Sequence, residues 1–310
     1  ILRLWVVAED YTKDLKVGEG TLKQMSDYYR RFRNTLRWLL GNLPQDGAEA
    51  PVPVAEMPEL ERWVLHRLAE LDRIVREAVV VYDFNTVFRE LHDFCNVDLS
   101  AFYFDIRKDS LYCDRPDALR RRAATTAIRH VFNCLTAWLA PILCFTTEEA
   151  WLSQMKPGDA ESVHLRPFPE IPADWTNDAL AAKWKEIRRI RRVVTGALEV
   201  ERAEKRIRSS LEAHPVVHVS GKDAALLADV DFADICITSQ ITITTDPAPD
   251  QAFRAEDTPD VAVIPALAEG RKCARSWRIL PEVGSDPEFP ELSLRDADAV
   301  RDWLRRNEAA

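Results

Sequence analysis

The sequence predicts a mainly α protein, an antiparallel helix bundle followed by a small α+β domain and a C-terminal appendage. Three observations predict it. Stretches in the first half place apolar residues at steps of three and four, the spacing of a buried helix stripe. The links between them are short, which favours antiparallel neighbours. Past residue 178 the period changes, and β-branched runs suited to strands appear.

The bundle elements follow in order. Residues 21–43 carry Leu22, Met25, Tyr29, Phe32, Leu36, Leu39 and Leu43 on one stripe, and Gly41 with Pro44 suits the helix end before a Pro-rich loop at 44–58. Residues 59–82 repeat the pattern from Leu60 and Trp63 to Val75 and Ala78. Residues 84–107 repeat it again from Phe84 to Ile106, after a short Asp83-Phe84-Asn85 turn. A fourth helix spans about 117–140 and stops at Pro141, which cannot continue the hydrogen-bond ladder. Thr146 with Glu149 reads as a capping box for a fifth helix around 147–155.

Residues 156–177, with four prolines and little periodicity, read as a domain boundary. Beyond it come a charged helix at 178–206 and strands at Pro215–Val219, Ile235–Thr238 and Ile241–Thr244. An acidic linker at 246–260, a short strand at Val261–Ile264 and a final helix near 294–306 complete the chain. The expected organisation is a connector at 1–20, the bundle at 21–160, a linker at 161–177, the charged helix and α+β domain at 178–260, and the appendage at 261–310.

A hydrophobic share of 46% and a charged share of 30% describe a globular chain. No window offers the roughly 18 uninterrupted apolar residues of a membrane span, and no signal peptide opens the chain, so a cytoplasmic protein is expected. Six scattered cysteines suit reduced, buried thiols. The net charge of -9 argues against indiscriminate coating of nucleic acid. Charge is nevertheless segregated: Lys183 to Arg208 carries ten Lys or Arg against four Glu, whereas Asp246 to Gly270 carries six acids against one Arg.

Catalytic patterns are missing: no Gly-rich loop follows a strand, and no Ser-His-Asp or Cys-His order stands in a familiar setting. No His or Cys pair has structural-zinc spacing, and His214 with His218 sits in a predicted strand as satisfied or exposed histidines. Two basic segments are the functional candidates. Arg30, Arg33, Asn34 and Arg37 fall on adjoining faces of the first helix with Trp38 beside them, a mixture suited to phosphates and unpaired bases of RNA. The alternative is a solvated face with Trp38 in the core. The second segment runs from Arg188 and Arg192 to Lys205, Arg206 and Arg208 and could track a phosphate backbone. Equally, it could be a helix stabilised by its own Glu199, Glu201 and Glu204 pairs. Arg120-Arg-Arg122 is a third basic cluster, placed near a helix start where cations are not favoured.

Several ordered strings together resemble bacterial isoleucyl-tRNA synthetases, class I enzymes, just after their KMSKS loop. They are Leu2-Arg-Leu-Trp5, Tyr29-Arg-Arg-Phe-Arg-Asn-Thr-Leu-Arg-Trp38, Leu60-Glu-Arg-Trp63, Tyr82-Asp-Phe84, Phe102 to Asp109, Leu139 to Trp151 and Lys205 to Ala213. The resemblance covers about residues 1–245. It implies that the bundle binds the anticodon stem and loop of the isoleucine tRNA. The catalytic domain that uses ATP and Mg, and the editing domain, would lie upstream of Ile1, so this part alone is expected to be catalytically inactive. A monomer that binds neither DNA nor membrane is expected. A helical protein-interaction scaffold without specific RNA recognition is the main alternative, and a metal-dependent enzyme a third.

Many members of that family end in a zinc knuckle, Cys-x-x-Cys-Trp with a second Cys-x-x-Cys. Here the corresponding positions are Cys273, Ser276, Ser293 and Asp296, so the appendage resembles a degenerate zinc knuckle and no zinc is expected. Trp277, Ile279, Leu280, Phe289, Leu292, Val300 and Trp303 are then expected to supply a small apolar core in place of the metal.

Overall fold

The computed structural model describes residues 1–15, 17–44 and 50–308. Residues 45–49 of the loop read at 44–58 lie outside the described residues, as do Lys16 of the connector and residues 309–310. The chain divides into two compact units, one of Ile1–Arg107 with Asp117–Asp178, the other of Lys108–Pro116 with Ala179–Ala310.

The first unit is helical. It contains α1 (Leu2–Ala8), α2 (Glu19–Asn42), α3 (Glu59–Val80), α4 (Phe84–Asp93), a π-helical stretch (Phe94–Tyr103) leading into α5 (Phe104–Cys113), which belongs to the second unit from Lys108 on, α6 (Leu119–Leu139) and α7 (Cys144–Leu152). Asp83 caps α4, accepting from the Thr86 amide at 3.1 Å, and Tyr82 takes a positive φ of 61° in the turn that folds α4 back on α3. Helix α2 packs on α4 and α6, and α3 packs on the same two helices. Their shared stripe includes Phe32, Leu36, Leu39, Leu65, Leu68, Leu71, Ile128, Val131 and Leu135, all buried. Each such side chain contributes about 1.5–3 kcal/mol by leaving water.

One ion pair interrupts this apolar core. Arg107 donates from Nε to Glu61 Oε1 at 2.6 Å and from NH2 to Oε2 at 2.8 Å, and the Tyr103 hydroxyl donates to Oε1 at 3.1 Å. Both charges are buried and hydrogen-bonded, the condition under which a core tolerates them. Burial and the neighbouring Glu61 carboxylate push the Tyr103 phenol well above its ordinary value.

The second unit comprises α8 (Asp178–Ala203), β1 (Val216–His218), α9 (Gly221–Leu227), α10 (Phe232–Cys236), β2 (Thr242–Thr244), β3 (Phe253–Ala255), β4 (Thr258–Ile264), β5 (Arg271–Lys272), β6 (Ile279–Leu280) and α11 (Leu294–Glu308). The four-stranded sheet has the order β2-β1-β4-β3. Strand β1 runs parallel to β2, with Val217 opposite Ile243, and antiparallel to β4, with Val217 opposite Val263. Helix α8 buries Trp184, Ile187, Ile190, Val193 and Val194. It meets β3 closely at Gly196, where an added Cβ would stand 3.3 Å from the Phe253 ring.

Four expectations need correction. Ile235–Thr238 is not a strand: Asp231 caps α10 by accepting from the Asp234 amide at 3.0 Å, and Ile237 ends the helix in the left-handed region. Local capping and burial of Phe232, Ile235 and Cys236 outweigh β propensity there. The acidic stretch 246–260 is not only a linker, because β3 and the start of β4 lie in it. Thr146 and Glu149 form no capping box, since α7 already begins at Cys144 and both side chains turn to α2.

The fourth correction concerns the appendage, a β5-β6 hairpin followed by α11. Gly270 makes the hairpin possible: its φ is +123°, and a Cβ there would stand 2.4 Å from the Leu280 carbonyl carbon. Of the expected apolar core, Ile279, Leu280, Phe289, Leu292 and Val300 are partly buried, but Trp277 is 63% exposed and Trp303 61% exposed. Cys273, Val283, Ala297 and Ala299 are buried instead, together with the polar Ser293 and Asp296. No helix among the described residues is long and apolar enough to cross a membrane.

Candidate nucleic-acid interface

The helical spacing of α2 places Arg30, Arg33, Asn34 and Arg37 on its exposed side. They are not equivalent. Arg30 pairs with Asp27 at 3.0 Å. Arg33 forks onto Glu149 of α7 at 2.9 and 3.3 Å and also reaches the Tyr29 hydroxyl. Those partners raise the Arg33 guanidinium further above its ordinary value, and Arg33 in turn holds the Glu149 carboxyl below the usual range. Asn34 and Arg37 are exposed and have no protein partner among the described residues. Trp38 lies flat on Phe104, with centroids 3.7 Å apart and planes 14° from parallel, so one ring face is already covered.

The basic stripe of α8 is largely committed within its own unit. Arg188 is half-buried and engaged, Arg189 spans Asp223 and Asp260, and Arg192 pairs with Asp257 at 3.0 Å. The acidic residues at 257 and 260 thus neutralise part of the basic helix. Arg206 forks onto Glu201 at 2.5 and 2.6 Å and also pairs with Glu204. Of the candidates in this segment, only Lys205 and the Arg208 guanidinium remain exposed without a partner among the described residues. Of the third cluster, Arg120 and Arg121 are engaged, and Arg122 reaches the Ala50 carbonyl at 3.5 Å.

His214 and His218 each make one ordinary hydrogen-bond contact. His214 Nε2 meets Thr242 Oγ1 at 2.9 Å, and His218 Nδ1 meets the Asp246 carbonyl at 3.0 Å.

Two features escaped the sequence reading. A cavity of about 450 Å³ opens beside the end of α2, lined by Arg129, Asn133, Trp151, Gln154, Lys156 and Arg166 among others. Arg166 sits 3.9 Å over the Trp151 ring and donates to Thr136 Oγ1 at 3.1 Å, while burial lowers its guanidinium pKa. These cations are isolated in sequence, and only the meeting of α6, α7 and the following loop gathers them. In the second unit Trp277 takes a positive φ of 64° and stands exposed with Lys272 Nζ 5.5 Å from its ring. An exposed tryptophan in that conformation is available for stacking.

Three of the four knuckle positions, Cys273, Ser293 and Asp296, meet at one carboxylate. Ser293 Oγ donates to Asp296 Oδ2 at 2.7 Å, and the Cys273 thiol donates to the same oxygen at 3.2 Å. The Ser293 amide donates to Cys273 Sγ at 3.3 Å. Arg275 reaches Asp296 Oδ1 at 2.9 Å, and Arg295 lies 3.3 Å from Oδ2 and 3.4 Å from Oδ1. Burial opposes ionisation of Asp296, but Arg295 and the Ser293 and Cys273 donors outweigh it and hold the carboxyl below its usual range.

Comparison with known proteins fits the mainly helical architecture. The family described as the anticodon-binding domain of tRNA ligase matches residues 61–217, half of the chain, and the chain belongs to that family. Among curated proteins it is similar to the isoleucine--tRNA ligase of Agrobacterium fabrum, with 57% identity over 303 residues that make up 97% of this chain and 31% of that protein. The isoleucine--tRNA ligase of Mesorhizobium japonicum is 54% identical, covering 97% of the chain and 30% of the relative. That of Rhodopseudomonas palustris is 50% identical, covering 100% and 31%. The chain therefore spans about a third of the length of these relatives.

Proposed function

We propose that this chain is the anticodon-binding part of a cytoplasmic isoleucine–tRNA ligase and that it binds the anticodon stem and loop of the isoleucine tRNA as a monomer. Similarity to isoleucine--tRNA ligases along 97% of the chain is the observation that carries the reading. Joining isoleucine to the tRNA with ATP and Mg is assigned to the rest of the whole protein, since the chain spans 31% of the Agrobacterium fabrum relative.

Within the chain, Arg37 and Asn34 are the leading contacts, because their donors face solvent without a protein partner among the described residues. An arginine can serve phosphate or base edge, whereas an asparagine amide suits a base edge. Arg33 and Arg30 present charge from fixed positions, and Trp277 with Lys272 offers a stacking surface in the second unit. The α8 stripe, with Arg189, Arg192 and Arg206 all paired internally, is read as a structural face. The test is tRNA binding by the Asn34→Ala/Arg37→Ala double variant with folding checked by circular dichroism. Affinity is expected to fall by about 1–3 kcal/mol with a salt slope shallower by about 1. Unchanged affinity and slope would remove this face from the interface.

A further inference from the structure

Zinc in a protein knuckle sits among four donors, mostly thiolates and imidazoles, in a tetrahedral shell. The residues at the four corresponding positions do not fit it. They offer one thiol, two hydroxyls and one carboxylate, and among the described residues no group of three or more His, Cys, Asp or Glu is placed to hold a metal ion. The carboxylate is also already occupied. Asp296 Oδ1 accepts from Arg275, and Oδ2 accepts from Ser293 and Cys273. Two guanidinium groups within 3.4 Å would repel a divalent cation placed there.

We infer that the appendage is a metal-independent knuckle in which the buried Asp296 carboxylate, clamped by Arg275 and Arg295, takes over the joining role of zinc and ties the hairpin to α11 and both to the Lys108–Pro116 segment. The joining is visible atom by atom. Arg275 comes from the β5-β6 hairpin and also donates to the Tyr112 carbonyl at 2.8 Å and to the Cys113 carbonyl. Arg295 comes from the first turn of α11 and also pairs with Asp109 and, at 3.4 Å, with Asp114. Arg115 returns the connection, reaching Asp298 at 3.2 Å and Asp302 at 3.2 Å on α11. Hairpin, helix start and segment thus share one alternating network of charges.

The largest apolar side chains of the appendage, Trp277 and Trp303, face solvent and add little to this joining. A metal ion joins remote segments by binding several ligands at once, and a guanidinium with its fixed fork of donors does so here. Asp296 is fully buried, so neither guanidinium can exchange it for water without opening the appendage.

The test uses the whole chain prepared in zinc-supplemented medium, with elemental analysis and amide hydrogen exchange followed by mass spectrometry. The expected result is no stoichiometric zinc and unchanged protection of β5, β6 and α11 on adding 1,10-phenanthroline. Asp296→Asn, which keeps the shape but leaves two guanidinium groups facing a neutral amide, is expected to speed exchange in α11 by more than about tenfold while the bundle stays protected. A Ser276→Cys/Ser293→Cys/Asp296→Cys variant, which restores four thiols, is expected to take up one zinc and to become chelator-sensitive. Stoichiometric zinc or chelator sensitivity in the unaltered chain would overturn the inference. So would unchanged exchange in Asp296→Asn, or failure of the four-thiol variant to take up zinc.

Discussion

The helical bundle and the C-terminal appendage solve the same problem by opposite means. In the bundle, leucines at helical spacing such as Leu65, Leu68 and Leu71 are fully buried, and the Glu61–Arg107 ion pair is embedded in apolar packing. In the appendage the large aromatics are exposed, and the buried centre is Asp296 with its serine, cysteine and arginine partners. A long bundle has the volume to bury a continuous stripe. A short appendage has little surface to remove from water, and charge pairing fills its buried centre instead.

The comparison can be broken at its extremes. The largest effect is expected from Arg107→Ala, which leaves Glu61 charged and buried. Stability measured by chemical denaturation should fall by about 3–5 kcal/mol. A smaller loss would mean that water reaches that carboxylate. Leu71→Ala should cost about 2–5 kcal/mol by opening a cavity, whereas Trp303→Ala should stay within about 0.5 kcal/mol despite removing a larger side chain. A substantial loss at Trp303 would restore the apolar account of the appendage.

The smallest effect concerns His130, which lies edge-on to Trp175 at 4.7 Å. Burial, with the nearby Arg129, pushes its imidazole below the ordinary value of 6.5. A histidine with a lowered folded pKa stays neutral in the native state, so the unfolded chain binds its proton first as pH falls. Its contribution is present in full above about pH 6.5 and is lost as pH drops toward the folded value. The melting temperature should therefore decline on going from pH 7.5 to 5.5, and His130→Gln should flatten that decline. An equal decline in the variant would assign the effect to other groups.

How much was legible follows the same division. The stripes of α2, α3 and α6 were readable because period is a local property, and their bounds emerge close to the expected ones, whereas the helix expected at 84–107 is α4, a π-helical stretch and α5 reaching Cys113. The Ile235–Thr238 run misled because β-branched composition is also local, while the cap at Asp231 and the burial that select a helix are not. The candidate basic residues were readable as types, but their availability was not. Arg37 and Arg192 look alike in sequence, and only the fold pairs Arg192 with Asp257 while leaving Arg37 open. The Asp296 network joins positions 109 to 115 with positions 273 to 302, a separation that no periodicity encodes.

The most direct measurement is equilibrium binding of the isoleucine tRNA against a non-cognate tRNA of similar size, each at two salt concentrations. Backbone contacts alone weaken steeply with salt and carry no sequence preference. Anticodon recognition by this chain predicts a cognate preference that persists at the higher salt. Equal affinities that collapse together as salt rises would contradict it and leave only a charged helical scaffold.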